Sequence, residues 1–142
     1  MLAEQLGADI TLSGGPDAIQ GVLDATGGRG ADVVIESTGM VRSVSDAITM
    51  ASLGGTLLLF GIVTASDGAL PLYQLYYKEL TIVNGRAAKG EDFPASIDLV
   101  ARGAVKLEPL ITHTLPLAEL ENAIQMVGSD AGDRMKIILQ NN

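Results

Sequence analysis

The sequence predicts an α/β fold with a mostly parallel sheet, and three observations carry that prediction. Short apolar runs alternate along the chain with segments whose apolar residues recur at helical spacing. Two runs, Val33-Val34-Ile35-Glu36-Ser37-Thr38-Gly39 and Gly55-Thr56-Leu57-Leu58-Leu59-Phe60-Gly61, are apolar on both faces and end in glycine. Buried parallel strands read that way. The connections between the segments are short, as in strand–helix units.

Taken in order, Leu2 to Leu6 reads as the end of a helix closed by Gly7. Asp9 to Leu12 is expected to be a short strand, followed by the loop Ser13-Gly14-Gly15-Pro16. Pro16 suits the first turn of a helix from Asp17 to Thr26, with Ile19, Val22 and Leu23 on one side and Gly27-Gly28 ending it. Ala31 to Ser37 is the first strong strand. Ser43 or Ser45 is expected to cap a helix running to about Ser52, with Val44, Ala47, Ile48 and Ala51 on one face. Gly54-Gly55 turns into a strand from Thr56 to Phe60, and a polar connection, Thr64 to Gly68, leads on through Pro71. Glu79 to Val83 reads as a third strand. Asp92-Phe93-Pro94 opens a helix carrying Ile97, Val100 and Ala101, ended by Gly103. Leu110 to Leu115 is extended, Pro116 starts a helix with Leu120, Ala123, Ile124 and Val127, and Met135 to Leu139 is a closing strand.

Composition bounds the function. With 142 residues the chain fits one domain, and 47% apolar with 18% charged residues is ordinary for a water-soluble globular protein. A formal charge of −8 without any Lys/Arg cluster argues against nucleic-acid binding. No run approaches the roughly 18 to 20 apolar residues of a membrane span, and the N-terminus has no signal-peptide pattern. The cytoplasm is the expected location. There is no cysteine and a single histidine, so neither a disulfide framework nor a thiolate metal site is available.

Ligands of open α/β sheets sit beyond the carboxyl ends of the strands, and three expected strands end there in glycine: Gly39, Gly61 and Gly85. A missing Cβ lets a ligand approach the main chain. Yet no Gly-x-Gly-x-x-Gly occurs anywhere to hold a pyrophosphate. The expected architecture is therefore a partial, Rossmann-like doubly wound parallel sheet, the C-terminal portion of a dinucleotide-binding domain over residues 1–142 with its front missing.

The residues Leu6-Gly7-Ala8-Asp9, then Thr26-Gly27-Gly28-Arg29-Gly30-Ala31-Asp32-Val33-Val34-Ile35-Glu36 and Gly39, resemble the medium-chain, zinc-containing alcohol dehydrogenases. So do Leu53-Gly54-Gly55-Thr56 leading to Phe60-Gly61, Leu80 to Gly85, Pro109 to Leu117, and Met135 to Leu139. The polyol- and threonine-dehydrogenase branches are the most similar. The resemblance implies an NAD- or NADP-dependent parent acting on a small alcohol or polyol, with the zinc ligands, the glycine-rich turn and the ribose-binding acid in an N-terminal part that this sequence does not match. It also implies that Gly61, Ile62 and Val63 lie against the nicotinamide, with Val83, Asn84 and Gly85 facing the same ring. Ser37, Thr38 and Gly39 then lie along the channel, and Lys136 matches the basic residue that reaches the pyrophosphate. It further implies a homo-oligomer joined through the sheet edge near Glu79 to Val83.

No residue is assigned a catalytic role. His113 reads as structural, because no cysteine or paired carboxylate accompanies it. Glu36 could pass for a general base but reads as a hydrogen-bonded structural carboxylate. The chain alone is expected to bind no stoichiometric zinc, to catalyse no hydride transfer and to hold NAD only weakly. Two readings stay open: the cofactor-domain piece of a zinc alcohol dehydrogenase-like oxidoreductase, or a non-catalytic remnant serving as an oligomerisation or binding module. The resemblance further implies that the first two strands of the sheet are absent, which in either case would leave the strand at Asp32 to Ser37 with an orphan edge. That edge is expected to be covered by another chain or by the strand from Asp9 to Leu12.

Overall fold

The computed structural model describes residues 2–65, 68–128 and 134–141. Ser66 and Asp67 of the expected polar connection lie outside the described residues. In chain order the elements are α1 (Leu2–Gln5), α2 (Ala18–Ala25), β1 (Ala31–Glu36), α3 (Val41–Met50), β2 (Ala51–Leu59), α4 (Leu72–Tyr77), β3 (Thr81–Asn84), α5 (Asp92–Ala101), β4 (Ile111–Pro116), α6 (Leu120–Gly128) and β5 (Lys136–Gln140). The strands form two parallel sheets, β1-β2-β3 and β4-β5. The chain divides into two compact units, Ile10–Ala87 and Met1–Asp9 with Ala88–Asn142.

In the first unit, β2 is central and carries the core. Leu57 is fully buried beneath Val44, Ala47 and Ile48 of α3, with Val34, Leu59, Leu75 and Leu80 packed around them. Removing side chains of this size from water contributes about 1.5–3 kcal/mol each, so this cluster is the main reason the sheet and α3 hold together. The carboxyl end of α3 is closed by a side chain. The Lys78 ammonium donates to the carbonyls of Ile48, Thr49 and Ala51 at 3.1, 2.8 and 2.7 Å. A cation there answers the last carbonyls of the helix and its negative dipole end. Burial lowers the Lys78 pKa.

Several expectations need correction. Asp9 to Leu12 joins neither sheet. Leu12 instead lies on α2, where a Cβ added to Gly21 would meet both Leu12 methyls at 2.9 Å. Within this chain, then, the edge of β1 is not covered by that segment. Ser43 and Ser45 do not cap α3, which starts at Val41 and places both inside the helix. The Thr38 hydroxyl accepts from the Met40 amide at its entrance instead, at 3.2 Å. Gly54-Gly55 is not the start of β2 but an interruption within it. The register passes from Ala31↔Ala51 to Val33↔Thr56, and Gly54, at φ +68, donates to the Lys78 carbonyl. Finally, Glu79 turns with φ +52, so β3 begins two residues later, at Thr81.

The second unit carries the remaining expected elements. Gly103, at φ +71, ends α5 as anticipated. A 3-10 turn at Leu117–Glu119 follows Pro116 and leads into α6, and β5 pairs with β4. His113 is half-buried in β4, and its Nδ1 lies 3.0 Å from the Thr112 hydroxyl.

Candidate functional site

Strands β1, β2 and β3 run parallel, so their carboxyl ends meet at one edge of the first unit. The glycines there are in close contact. A Cβ built on Gly61 would stand 2.2 Å from the Gly39 nitrogen and 2.7 Å from Glu36 Oε2. One built on Gly39, at φ +75, would stand 2.5 Å from the Ile62 carbonyl oxygen. Real Cβ contacts do not come this near, so the two turns touch main chain to main chain. The third turn joins from the other side: the Gly85 amide donates to the Leu59 carbonyl at 3.0 Å, and a Cβ on Gly85 would meet the Phe60 ring at 3.3 Å.

The structure thus brings together Ser37, Thr38 and Gly39, Gly61, Ile62 and Val63, and Val83, Asn84 and Gly85 at one edge. Ile62 is 84% exposed and Phe60 60% exposed, an apolar lip open to solvent. Ser37 and Thr38 also border a groove of about 450 Å³ beside β1 and α3, lined further by Val34, Met40 and Ala47. Lys136 belongs to the second unit, exposed at the start of β5.

Glu36 organises this edge. It is 4% exposed, and its Oε1 accepts from the Thr38 amide at 2.7 Å, the Thr38 hydroxyl at 2.5 Å and the Gly39 amide at 3.1 Å. Oε2 lies 3.2 Å from the same Gly39 amide. Its main-chain carbonyl accepts from the Phe60 and Gly61 amides at 2.8 and 2.9 Å. Burial by itself would raise the carboxyl pKa, but the hydrogen bonds from Thr38 and Gly39 outweigh it and hold the group below its usual value. The carboxylate is thus held by the turn that follows it, hydrogen-bonded as the sequence leads one to expect. The signal for its wider role was present: one carboxylate closing an apolar strand, directly followed by Ser-Thr-Gly.

A pH dependence follows. The folded-state pKa is depressed, so this carboxylate stabilises the fold above its unfolded pKa, about 4.3, and that contribution is lost as pH falls through the lower folded value. Urea midpoints measured from pH 7 down to 3 are expected to decline below about pH 4.3, with a shallower decline in Glu36→Gln. Equal slopes in the two proteins would refute it.

A family model described as "Zinc-binding dehydrogenase" matches residues 1–102. The chain belongs to that family. Among its relatives, the 2-dehydro-3-deoxy-L-galactonate 5-dehydrogenase of Pseudoalteromonas atlantica is 30% identical over 99% of this chain and 40% of its own length. The L-threonine 3-dehydrogenase of Bacillus velezensis is 31% identical over 97% of this chain and 40% of its length. A solved Escherichia coli structure described as a short chain alcohol dehydrogenase complexed with cofactor NADH superposes with a TM-score of 0.76 at 28% identity. That match covers 97% of this chain and 40% of the other. The chain thus spans about 40% of the length of these relatives. The α/β architecture with parallel strands is that of the family's Rossmann-like cofactor-binding domain.

The zinc-binding dehydrogenases depend on NAD(P) and on zinc. The residues of this chain do not fit a catalytic zinc, which takes three protein ligands from Cys, His, Asp or Glu. The sequence has no Cys and one His, and among the described residues no three such side chains gather. A nicotinamide is a different matter. Three turns tightened by glycine, with an apolar lip beside them, fit a flat ring approached by main chain.

Proposed function

We propose that this chain is the C-terminal portion of the cofactor domain of an NAD(P)-dependent zinc alcohol dehydrogenase-like oxidoreductase and forms the nicotinamide half of its site. One observation carries the reading: Gly39, Gly61 and Gly85 bring three turns to one strand edge, where added Cβ atoms at the first two would collide with main chain. In this reading the main chain of Gly61, Ile62 and Val63 orients the ring, Val83, Asn84 and Gly85 face it, and Ser37, Thr38 and Gly39 border the channel. When bound, the nicotinamide supplies the hydride acceptor for the carbinol carbon of a small alcohol or polyol. This chain's part is to bind and orient it. The relatives, a sugar-acid and an amino-acid dehydrogenase by name, support the substrate class.

Affinity of the chain alone is expected to be weak. It has no glycine-rich turn for the pyrophosphate, so a dissociation constant near 1 mM or above, about −4 kcal/mol at best, is expected. Titrating NADH into ¹⁵N-labelled chain is expected to shift the amides of residues 37–39, 61–63 and 83–85 at millimolar concentration. Saturation at micromolar NADH, or shifts confined to other residues, would overturn the reading.

A second reading, a non-catalytic oligomerisation or binding module, is favoured by the apolar exposure of both outer strands of the three-stranded sheet. Val33 and Ile35 of β1 are 61% and 62% exposed. We propose self-association through the edge of β3 in either case.

A further inference from the structure

We propose that Glu36 is a positioning residue of the nicotinamide channel: its carboxylate and its main-chain carbonyl together lock the turn at Ser37–Gly39 against the turn at Phe60–Ile62. The inference rests on the reading of that edge as the nicotinamide site.

The geometry is specific. The Glu36 carbonyl fixes the second turn by taking both the Phe60 and Gly61 amides. The carboxylate fixes the first by taking the Thr38 amide, the Thr38 hydroxyl and the Gly39 amide. Its Oε2 also sits under Gly61, where a Cβ would be 2.7 Å away. One residue therefore determines how far apart the two turns lie. The Thr38 hydroxyl extends the arrangement: it donates to the carboxylate and accepts from the Met40 amide at the entrance of α3. The turn is thereby tied to the helix that carries the core. A ligand held by the main chain of Gly61–Val63 needs that spacing within a fraction of an ångström, because supporting hydrogen bonds fix binding groups in productive geometry.

Glutamine is the informative replacement. It keeps the size and one acceptor oxygen, but its NH₂ would face the Gly39 amide, donor to donor. The first turn is expected to loosen while the β2–β3 pairing and the Gly85–Leu59 bond remain. Gly54→Ala serves as the stability control, since it strains a positive φ in open space within the β2 interruption and touches none of the three turns.

The experiment uses the full labelled chain as wild type, Glu36→Gln and Gly54→Ala. Without cofactor, amide exchange at Thr38 and Gly39 is expected to rise at least tenfold in Glu36→Gln relative to Gly85. With NADH, the dissociation constant of Glu36→Gln is expected to rise at least tenfold, and that of Gly54→Ala to match wild type. Unchanged exchange and affinity in Glu36→Gln overturn the proposal. So does an equal loss of affinity in Gly54→Ala, which would make the effect one of stability. Absence of any NADH-dependent shift in wild type is a separate result. It defeats the site reading and the positioning role with it, while the exchange data still report whether Glu36 holds the turn. Should Glu36→Gln not fold, Thr38→Val must weaken NADH in the same direction and Thr38→Ser must restore it. Failure of that pair overturns the proposal equally.

Discussion

Gly61→Ala is expected to be among the most damaging single-methyl additions to this chain. The added carbon would be placed 2.2 Å from the Gly39 nitrogen, 2.8 Å from the Gly39 Cα and 2.7 Å from Glu36 Oε2. Two of these are main-chain atoms, and the third belongs to a carboxylate held by several hydrogen bonds, so nothing rotates away. Overpacking of this kind costs about 1–3 kcal/mol, and more where the backbone must move. We expect about 3 kcal/mol or more, a large share of the roughly 5–15 kcal/mol that keeps a small domain folded. Gly54→Ala supplies the comparison. Gly54 has a positive φ but empty space around its Cβ position, so the penalty is conformational alone, about 1–2 kcal/mol. Urea denaturation of both variants separates steric collision from backbone strain. Equal destabilisation of the two would mean that the β1 and β2 turns can part freely, and the close-contact account of the edge would fall.

The pattern of elements was legible because it rests on local chemistry. The stop at Gly27-Gly28 after α2 and the apolar β1 and β2 follow from periodicity and glycine, and both are present. Where the structure departs from the local pattern, a tertiary partner decides. Asp9 to Leu12 has strand-like residues, yet a strand needs a partner and Leu12 found a seat on Gly21 of α2. Ser43 and Ser45 are cap-forming residue types, but the Glu36–Thr38 and Thr38–Met40 hydrogen bonds set the entrance of α3 earlier. The β2 interruption at Gly54-Gly55 depends on the Lys78 carbonyl, 24 residues on from Gly54, which no local pattern reveals. The site was legible as glycines at strand ends. The collision distances that make those glycines necessary required coordinates.

The chain is expected to self-associate at micromolar concentration, with β3 at an interface. In the order β1-β2-β3 both outer strands have one edge with no strand paired to it among the described residues. Every residue of β3 is exposed, with Ile82 and Val83 at 43% and 45%, and β1 leaves Val33 and Ile35 more than half open. Neither strand contains proline or lysine, the usual means of blunting an edge against pairing. The expected rescue by Asp9 to Leu12 does not occur, which leaves cover by another chain as the expectation for β1. The energy at stake is considerable: each 100 Å² of apolar surface removed from water contributes about 2.5 kcal/mol, and a micromolar dimer needs about 8.2 kcal/mol. Opposing this, a net charge of −8 repels a second copy. Raising ionic strength shortens that repulsion, so association should strengthen with salt. Light scattering at about 10 µM is expected to give at least twice the chain mass, and Ile82→Lys with Val83→Lys to reduce it by placing two charges on each β3 edge. A wild-type monomer at that concentration, or a double variant as associated as wild type, would remove β3 from the interface.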